Sequence, residues 1–429
     1  MLAFRRCFWM LLSGLLLLAG PAEAQSGGVG FGDWQLHLPT NRATALAEAG
    51  SRVYVATEDA FFVYDKELNT TRLLSRRDGL SDVGVSTLAY DSVGQQLVVA
   101  YRNTNLDLLR LSSGSEAQVR NLNDILRKEI SGSKVINHIH ISGRLAYLAS
   151  SFGIVVLDLG RLEIRDTYTN IGPSGAVVRA YATAVAGGFL VAATSGGVLR
   201  ARLTSNLLDF RSWTVDLPAR PNDPYRTLAA QDGRVYAGVN GQGLLRFDPA
   251  APAQGWQAVS GAPSGVEFRQ LTASRAGLLI TDNRQVTVLN PATGAPTATL
   301  RPALLQEPRA ALRGREGAFY VADFRQGLLK IQGQQAEQFV SNAPARAQNF
   351  SVLADARTGS VTVFTGGYSD RYLQRGLREG FSTFQNGQWT TVSGSTLPAN
   401  QYPNPLDVSR GVRTPDGTLY VASYGNGLL

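Results

Sequence analysis

"RRDGLSDVGVSTLAYDSVGQQLVVAY", residues 76–101, decides how the rest of the chain is read. It opens on an Asp-Gly pair, runs through "STLAYD", turns at a second Asp- and Gly-containing stretch and ends in "QLVVAY". Short alternating or briefly apolar runs between Gly, Asp and Ser clusters are the signature of antiparallel strands joined by tight turns. Asp78 and Asp82 raise a different possibility, a binding loop with paired carboxylates. The surrounding sequence separates the two.

The pattern recurs along the chain. "GSRVYVAT" at 50, "GQQLVVAY" at 94, "GRLAYLAS" at 143, "GGFLVAAT" at 187 and "GRVYAGV" at 233 are followed by "AGLLITD" at 276, "GAFYVAD" at 317, "GSVTVFT" at 359 and "GTLYVAS" at 417. The spacing from Gly50 to Gly417 averages about 46 residues, with one longer gap that holds the insertion "GGYSDRYLQRGLREGFSTFQ". Each unit begins with a short run such as "TALAEA" or "RTLAAQ" and passes a turn, often Asp-Gly, into the quoted strand. A third strand follows ("AFFVYDK", "GIVVLDL", "GLLKIQG"), then a weaker fourth ("TRLLS", "SWTVDL", "QWTTVS"). None carries the 3.6 period of a long helix. Four short antiparallel strands per unit describe the blade of a β-propeller, in which stacking around an axis buries faces that one blade leaves exposed. A two-layer sandwich has no reason to keep such a period. The fold class expected is therefore all-β, a seven-bladed β-propeller of four-stranded antiparallel blades, with the start of a second propeller.

The partition that follows is a signal peptide at 1–24, a first propeller at 25–349 and an incomplete second one at 350–429. "GDWQLHL" at 32–38 resembles a fourth strand lacking its first three, as in a ring closed by both chain ends. "GTLYVASYGNGLL" stops inside a third strand, which is read as C-terminal truncation.

Arg5 and Arg6, the apolar run "CFWMLLSGLLLLAG" and Ala22-Glu23-Ala24 form a secretory leader, with an uncleaved anchor as the alternative. Cys7, the only cysteine, lies within it, so the exported chain is expected to hold no disulfide and no thiolate metal site. No later segment approaches 18 consecutive apolar residues, so no transmembrane segment is expected in the mature chain. The formal charge is +8, and only four of the 41 basic residues are lysines. Export argues against nucleic acid as a partner. Arginine's planar fork suits phosphate and carboxylate, which makes an anionic surface glycan or lipid headgroup a candidate; biased base composition in the gene accounts for the arginines equally simply.

Chemistry-bearing residues are sparse. His138 and His140 lie two apart on one strand face, a spacing compatible with a metal but more often that of packed polar side chains; His37 is the only other histidine. Asp91, Asp232 and Asp416 occupy equivalent turn positions. No G-x-S-x-G, P-loop or H-E-x-x-H pattern is present. Trp34, Trp213, Trp256 and Trp389 each open an outer strand, where packing between blades is the simpler role and sugar stacking the alternative. "NTT" at 69–71 fits a glycosylation pattern and also a turn. No catalytic, cofactor-binding or metal-binding residue is assigned, no cofactor is expected, and the ligand-binding residues stay unknown.

The formula "DGLSDVGVSTLAYDSVGQQLVVAY" resembles the repeat of two-component regulator propellers. The longer run "GDWQLHLPTNRATALAEAGSRVYVATEDAFFVYDKELNTTRLLSRRDGLSDVGVSTLAYD" resembles the N-terminus of the PorZ family of Bacteroidota, and "LDVSRGVRTPDGTLYVASYGNGLL" is similar to a later part of it. The resemblance implies two propellers and a terminal β-sandwich, and a non-catalytic scaffold of the type IX protein secretion system, not an enzyme. It implies a place in the periplasm or at the outer-membrane cell surface. The implied partners are a sortase, an outer-membrane barrel shuttle protein and an anionic lipopolysaccharide to which secreted cargo is attached. The alternative is the periplasmic saccharide-sensing propeller of a hybrid two-component histidine kinase; an exported polysaccharide-degrading enzyme is a third reading.

Overall fold

The computed structural model describes residues 34–111, 118–130, 132–222 and 224–429. The proposed leader and the start of the orphan strand fall outside them. The chain divides into two units, Met1–Leu36 and His37–Leu429. Of the first, only Trp34, Gln35 and Leu36 are described, exposed and without regular structure. Among the described residues no helix is long and apolar enough to cross a membrane.

From residue 43 onward the second unit is a series of antiparallel meanders, eight of four strands and a last one of three. We number them as blades: 43–74, 85–122, 136–168, 180–218, 225–258, 268–300, 308–339, 351–392 and 408–428. The first strand of each of the first six lies beside the first strand of the next, and Pro308–Arg313 of blade 7 returns to Ala43–Ala49 of blade 1. These are the inner strands of a closed seven-bladed ring.

The apolar patterning explains the closure. The second strand of each of these blades is buried almost throughout, because neighbours cover both of its faces; Arg52–Thr57 and Leu145–Ser150 are examples. Seven apolar clusters fill the interfaces between successive blades of the ring. One of them joins blade 7 to blade 1 through Val53, Val55, Phe62 and Tyr64 against Ala310, Tyr320, Leu328 and Phe339. Tyr64 stacks on Phe339 at 4.2 Å between ring centres, and Lys66 reaches across to Glu316 at 2.9 Å. A separate cluster of Phe364, Val408 and Val421 joins blades 8 and 9.

In five of the seven ring blades the last letter of the repeated string is a turn cap. Thr57 accepts a hydrogen bond from the Ala60 amide (2.7 Å), and Thr194 accepts one from Gly196 (3.0 Å). Ser150 donates to the Gly153 carbonyl (2.8 Å). In blades 6 and 7 aspartates do the same work: Asp282 accepts from Arg284 N (2.7 Å) and Asp323 from Arg325 N (2.8 Å). Each side chain satisfies backbone groups at a hairpin that would otherwise be buried without partners.

The expected orphan strand does not form: residues 34–41 contain none. Blade 7 builds its own fourth strand, Gln335–Phe339, on Gly327–Gln332, so the edge such a strand would join is already taken. Instead, the chain entering the ring is clasped to the chain leaving it. Ser341 Oγ donates to the Leu38 carbonyl (2.6 Å), and the Ser341 amide donates to Thr40 Oγ1 (2.7 Å). Trp34 is 80% exposed and opens no strand. Of the other three tryptophans, Trp213 and Trp256 make the expected contact between blades, whereas Trp389 packs within its own blade. Trp213 is buried beside Tyr168 of the preceding blade, Trp256 lies on Phe247 and donates to Asp216 of blade 4, and Trp389 packs on Phe384.

The opening stretch is a connector. Ser75 and Asp78 cap a single turn at Arg76–Asp78, which ends at Gly79 with φ of 89°. Leu80 and Val85 are buried in the interface of blades 1 and 2. Asp82 accepts from Arg76 (3.1 Å), from the Val83 amide (2.9 Å) and from Asn103. Both carboxylates are occupied in holding the connector: Asp78 bonds within it and to Arg72 of blade 1, and Asp82 within it and to Asn103 of blade 2.

Candidate binding site at the channel mouth

The inner strand of every blade of the ring breaks register after its first paired residue. In all seven blades one residue is bulged out between two paired ones: Ala43 and Ala45 pair with Thr57 and Ala56, Tyr225 and Thr227 with Val239 and Gly238, Phe268 and Gln270 with Asp282 and Thr281. The same interruption stands in blades 2, 3, 4 and 7. A bulge re-aims a side chain and sharpens the local twist. The extra residues are Thr44, Ser86, Asn137, Tyr181, Arg226, Arg269 and Arg309, and all seven line one cavity of about 560 Å³, partly open to solvent. Most of that space is open solvent; the enclosed part is about 140 Å³, room for a small group rather than for a whole drug-sized ligand.

The mouth is chemically two-sided. Blades 1 to 4 present hydroxyls and an amide; blades 5 to 7 present three guanidinium groups. Arg269 is held by Glu267 at 2.8 Å, and Arg309 by Glu307 and by the ring of Phe324, 4.6 Å from its centre. Arg226 lies over the ring of Tyr181, 5.3 Å from its centre. Burial pulls the Arg269 guanidinium below its ordinary pKa, and the nearby charge of Arg309 adds to the effect. Four polar atoms of the lining residues are buried without a hydrogen-bond partner: His138 Nδ1, Thr227 Oγ1, Arg269 Nε and Arg309 Nε.

His138 lines this cavity. Burial, with a smaller contribution from His140, pushes its pKa down to about 4, so it is a neutral imidazole at neutral pH. His140, also held down to about 4 by burial, accepts from the Val185 amide at 3.1 Å and so serves blade packing. His37 lies elsewhere, between Phe384 and Trp389. Among the described residues no three His, Cys, Asp or Glu side chains gather as a metal site would require. Asp91 and Asp416 cap their turns, and Asp232 sits at a turn with φ of 50°. Asn69 of "NTT" is also a turn residue, at φ 53°.

The seven-bladed ring defines the class of protein: a β-propeller with one mouth lined by bulge residues. Comparison with known proteins places part of it more closely. Residues 53–214 match the family model described as the TSS9, PorZ, N-terminal beta-propeller domain, so the resemblance to the PorZ family holds over this segment. Among solved structures, PorZ of Porphyromonas gingivalis, an essential bacterial surface component of the type-IX secretion system in that organism, superposes with a TM-score of 0.74 at 20% identity. That alignment covers 92% of this chain and 51% of the other. The extracellular domain of a putative hybrid two-component system from B. thetaiotaomicron gives 0.51 at 14% identity, covering 91% of this chain and 51% of that one. The chain thus spans about half the length of either. At these identities the structural likenesses establish the fold alone. No curated protein sequence matches the chain.

Proposed function

We propose that this protein is a non-catalytic scaffold of the type IX secretion system, exported to the outer-membrane cell surface. There it binds or presents an anionic lipopolysaccharide for sortase-mediated attachment of secreted cargo, in company with the sortase and a barrel shuttle protein. The observation that carries the reading is the match of residues 53–214 to the PorZ N-terminal propeller, which the two-component sensors share only as a fold. The arginine-lined mouth is consistent with an anionic partner.

The test uses the complete protein in its own cells. Deleting the gene is expected to leave cargo secreted but unattached, and the tagged protein is expected to co-purify with the sortase and to be retained on immobilised anionic lipopolysaccharide. Normal cargo attachment in the deletion strain overturns the scaffold; lack of retention overturns the glycolipid part. A transmembrane helix and histidine-kinase module encoded beyond Leu429 would instead support the saccharide-sensing alternative.

A further inference from the structure

The mouth contains more donor chemistry than the fold needs. A propeller channel can be closed by small or apolar bulge residues, yet three consecutive blades put arginine at the bulge, where the cations crowd one another. Two glutamates, Glu267 and Glu307, hold the neighbouring guanidinium groups in place, and neither leaves its arginine fully satisfied, since both Nε atoms are buried without partners. The opposite wall adds the unpartnered ring nitrogen of His138, and Thr44, Ser86 and Asn137, each of which already donates one hydrogen bond to a backbone carbonyl (Ala56 at 3.3 Å, Ala100 at 3.0 Å and Ala180 at 2.7 Å). Crowded cations beside unsatisfied donors are costly when buried and become favourable when an anion sits among them.

We infer that this mouth is a binding site for a phosphate ester, with Arg226, Arg269 and Arg309 holding the phosphoryl oxygens and the hydroxyl and amide side chains of blades 1 to 4 contacting the group that carries it. The geometry favours phosphate over carboxylate. Glu267 and Glu307 leave the three guanidinium groups with about one net positive charge, so the preference rests on geometry: a phosphate monoester offers three terminal oxygens for three guanidinium groups to share, whereas a carboxylate offers two. The site stands whether or not the chain works in secretion; if it does, the phosphate ester would be borne by the glycolipid.

The test is calorimetric titration of the full-length exported protein at low ionic strength with three probes: inorganic phosphate, glucose 1-phosphate, and vesicles of phosphatidylglycerol in phosphatidylcholine. Saturable binding of glucose 1-phosphate is expected, tighter than that of inorganic phosphate and weakened by salt. Tighter binding of the vesicles would assign a lipid headgroup as the source of the phosphate; tighter binding of the sugar phosphate assigns a glycan. R269Q/R309Q is expected to weaken binding at least tenfold without lowering the unfolding midpoint. R269K, which keeps the charge and loses the fork, should fall between the two. R161Q, at an exposed arginine outside the mouth, should bind as the wild type. No saturable binding of any probe, or equal binding by wild type and R269Q/R309Q, overturns the site. Should the double variant unfold, R226K and R269K carry the comparison, and wild-type affinity in both would overturn it equally. A protein that supports cargo attachment yet binds no probe defeats this inference alone; one that binds through the mouth in cells with normal attachment after deletion defeats only the proposed function.

Discussion

Blade 1 is held on two sides by unlike means. Against blade 7 it closes the ring with an apolar seam of Tyr64, Tyr320 and Phe339. Towards blade 8 it uses charge: Arg42 reaches both Glu58 and Glu379 at 2.8 Å, and Arg346 reaches the same Glu379 at 2.8 Å. The seam has the composition of a domain interior, with the Lys66–Glu316 ion pair at its edge; the junction has that of a polar contact between neighbouring domains. Non-directional burial fixes a ring that must not open, while directional ion pairs fix the angle at which the next blades leave it.

That contrast can be broken most severely at the seam. Tyr64→Ala removes a fully buried ring and its hydrogen bond to Asn69 (2.8 Å), and an expected loss of about 3–5 kcal/mol should appear in denaturant unfolding of the whole ring. A loss confined to blades 8 and 9 would contradict the assignment of this seam to ring closure. At the junction, Glu379→Gln leaves two half-buried arginines short of a partner and should cost about 1–2 kcal/mol. Burial pushes the Glu379 carboxyl up, but hydrogen bonding from Arg346 and the charges of Arg346 and Arg42 outweigh it and hold the group below its usual range. Its contribution is therefore complete above the unfolded value of about 4.3 and fades as pH falls through the lower folded value. Wild type and Glu379→Gln should differ at pH 7 and converge in acid; a difference that grows on acidification would reverse the argument. The smallest effect is expected at the clasp, where Ser341→Ala should cost about 1 kcal/mol and raise hydrogen exchange at residues 38–41 before anywhere else.

The strands and their period were legible in sequence because hairpin turns and buried runs are local signals. Trp34 shows where local signals stop: "GDWQLHL" has the letters of an outer strand, but whether a strand forms depends on a vacant edge, and blade 7 had filled its own. The candidate site was hidden for a related reason. A bulge is a property of register between two strands, invisible in either alone. Thr44 and Arg226 were the first letters of the repeated runs "TALAEA" and "RTLAAQ", yet nothing in those runs says that the first residue is pushed out of the ladder. Arg269 and Arg309 were further concealed by a chain rich in arginine. The turn caps could have been read: Thr57, Ser150, Thr194, Asp282 and Asp323 end their quoted strings in a column of small polar residues, which a period-two reading of apolar positions passes over.

The clasp between residues 38–40 and 341 brings the segment entering the ring and the segment leaving it to the same point. Tension applied between residue 37 and blade 8 therefore does not travel around the seven blades. It passes directly across Ser341 and the Glu379 ion pairs, shielding the mouth of the channel from mechanical load.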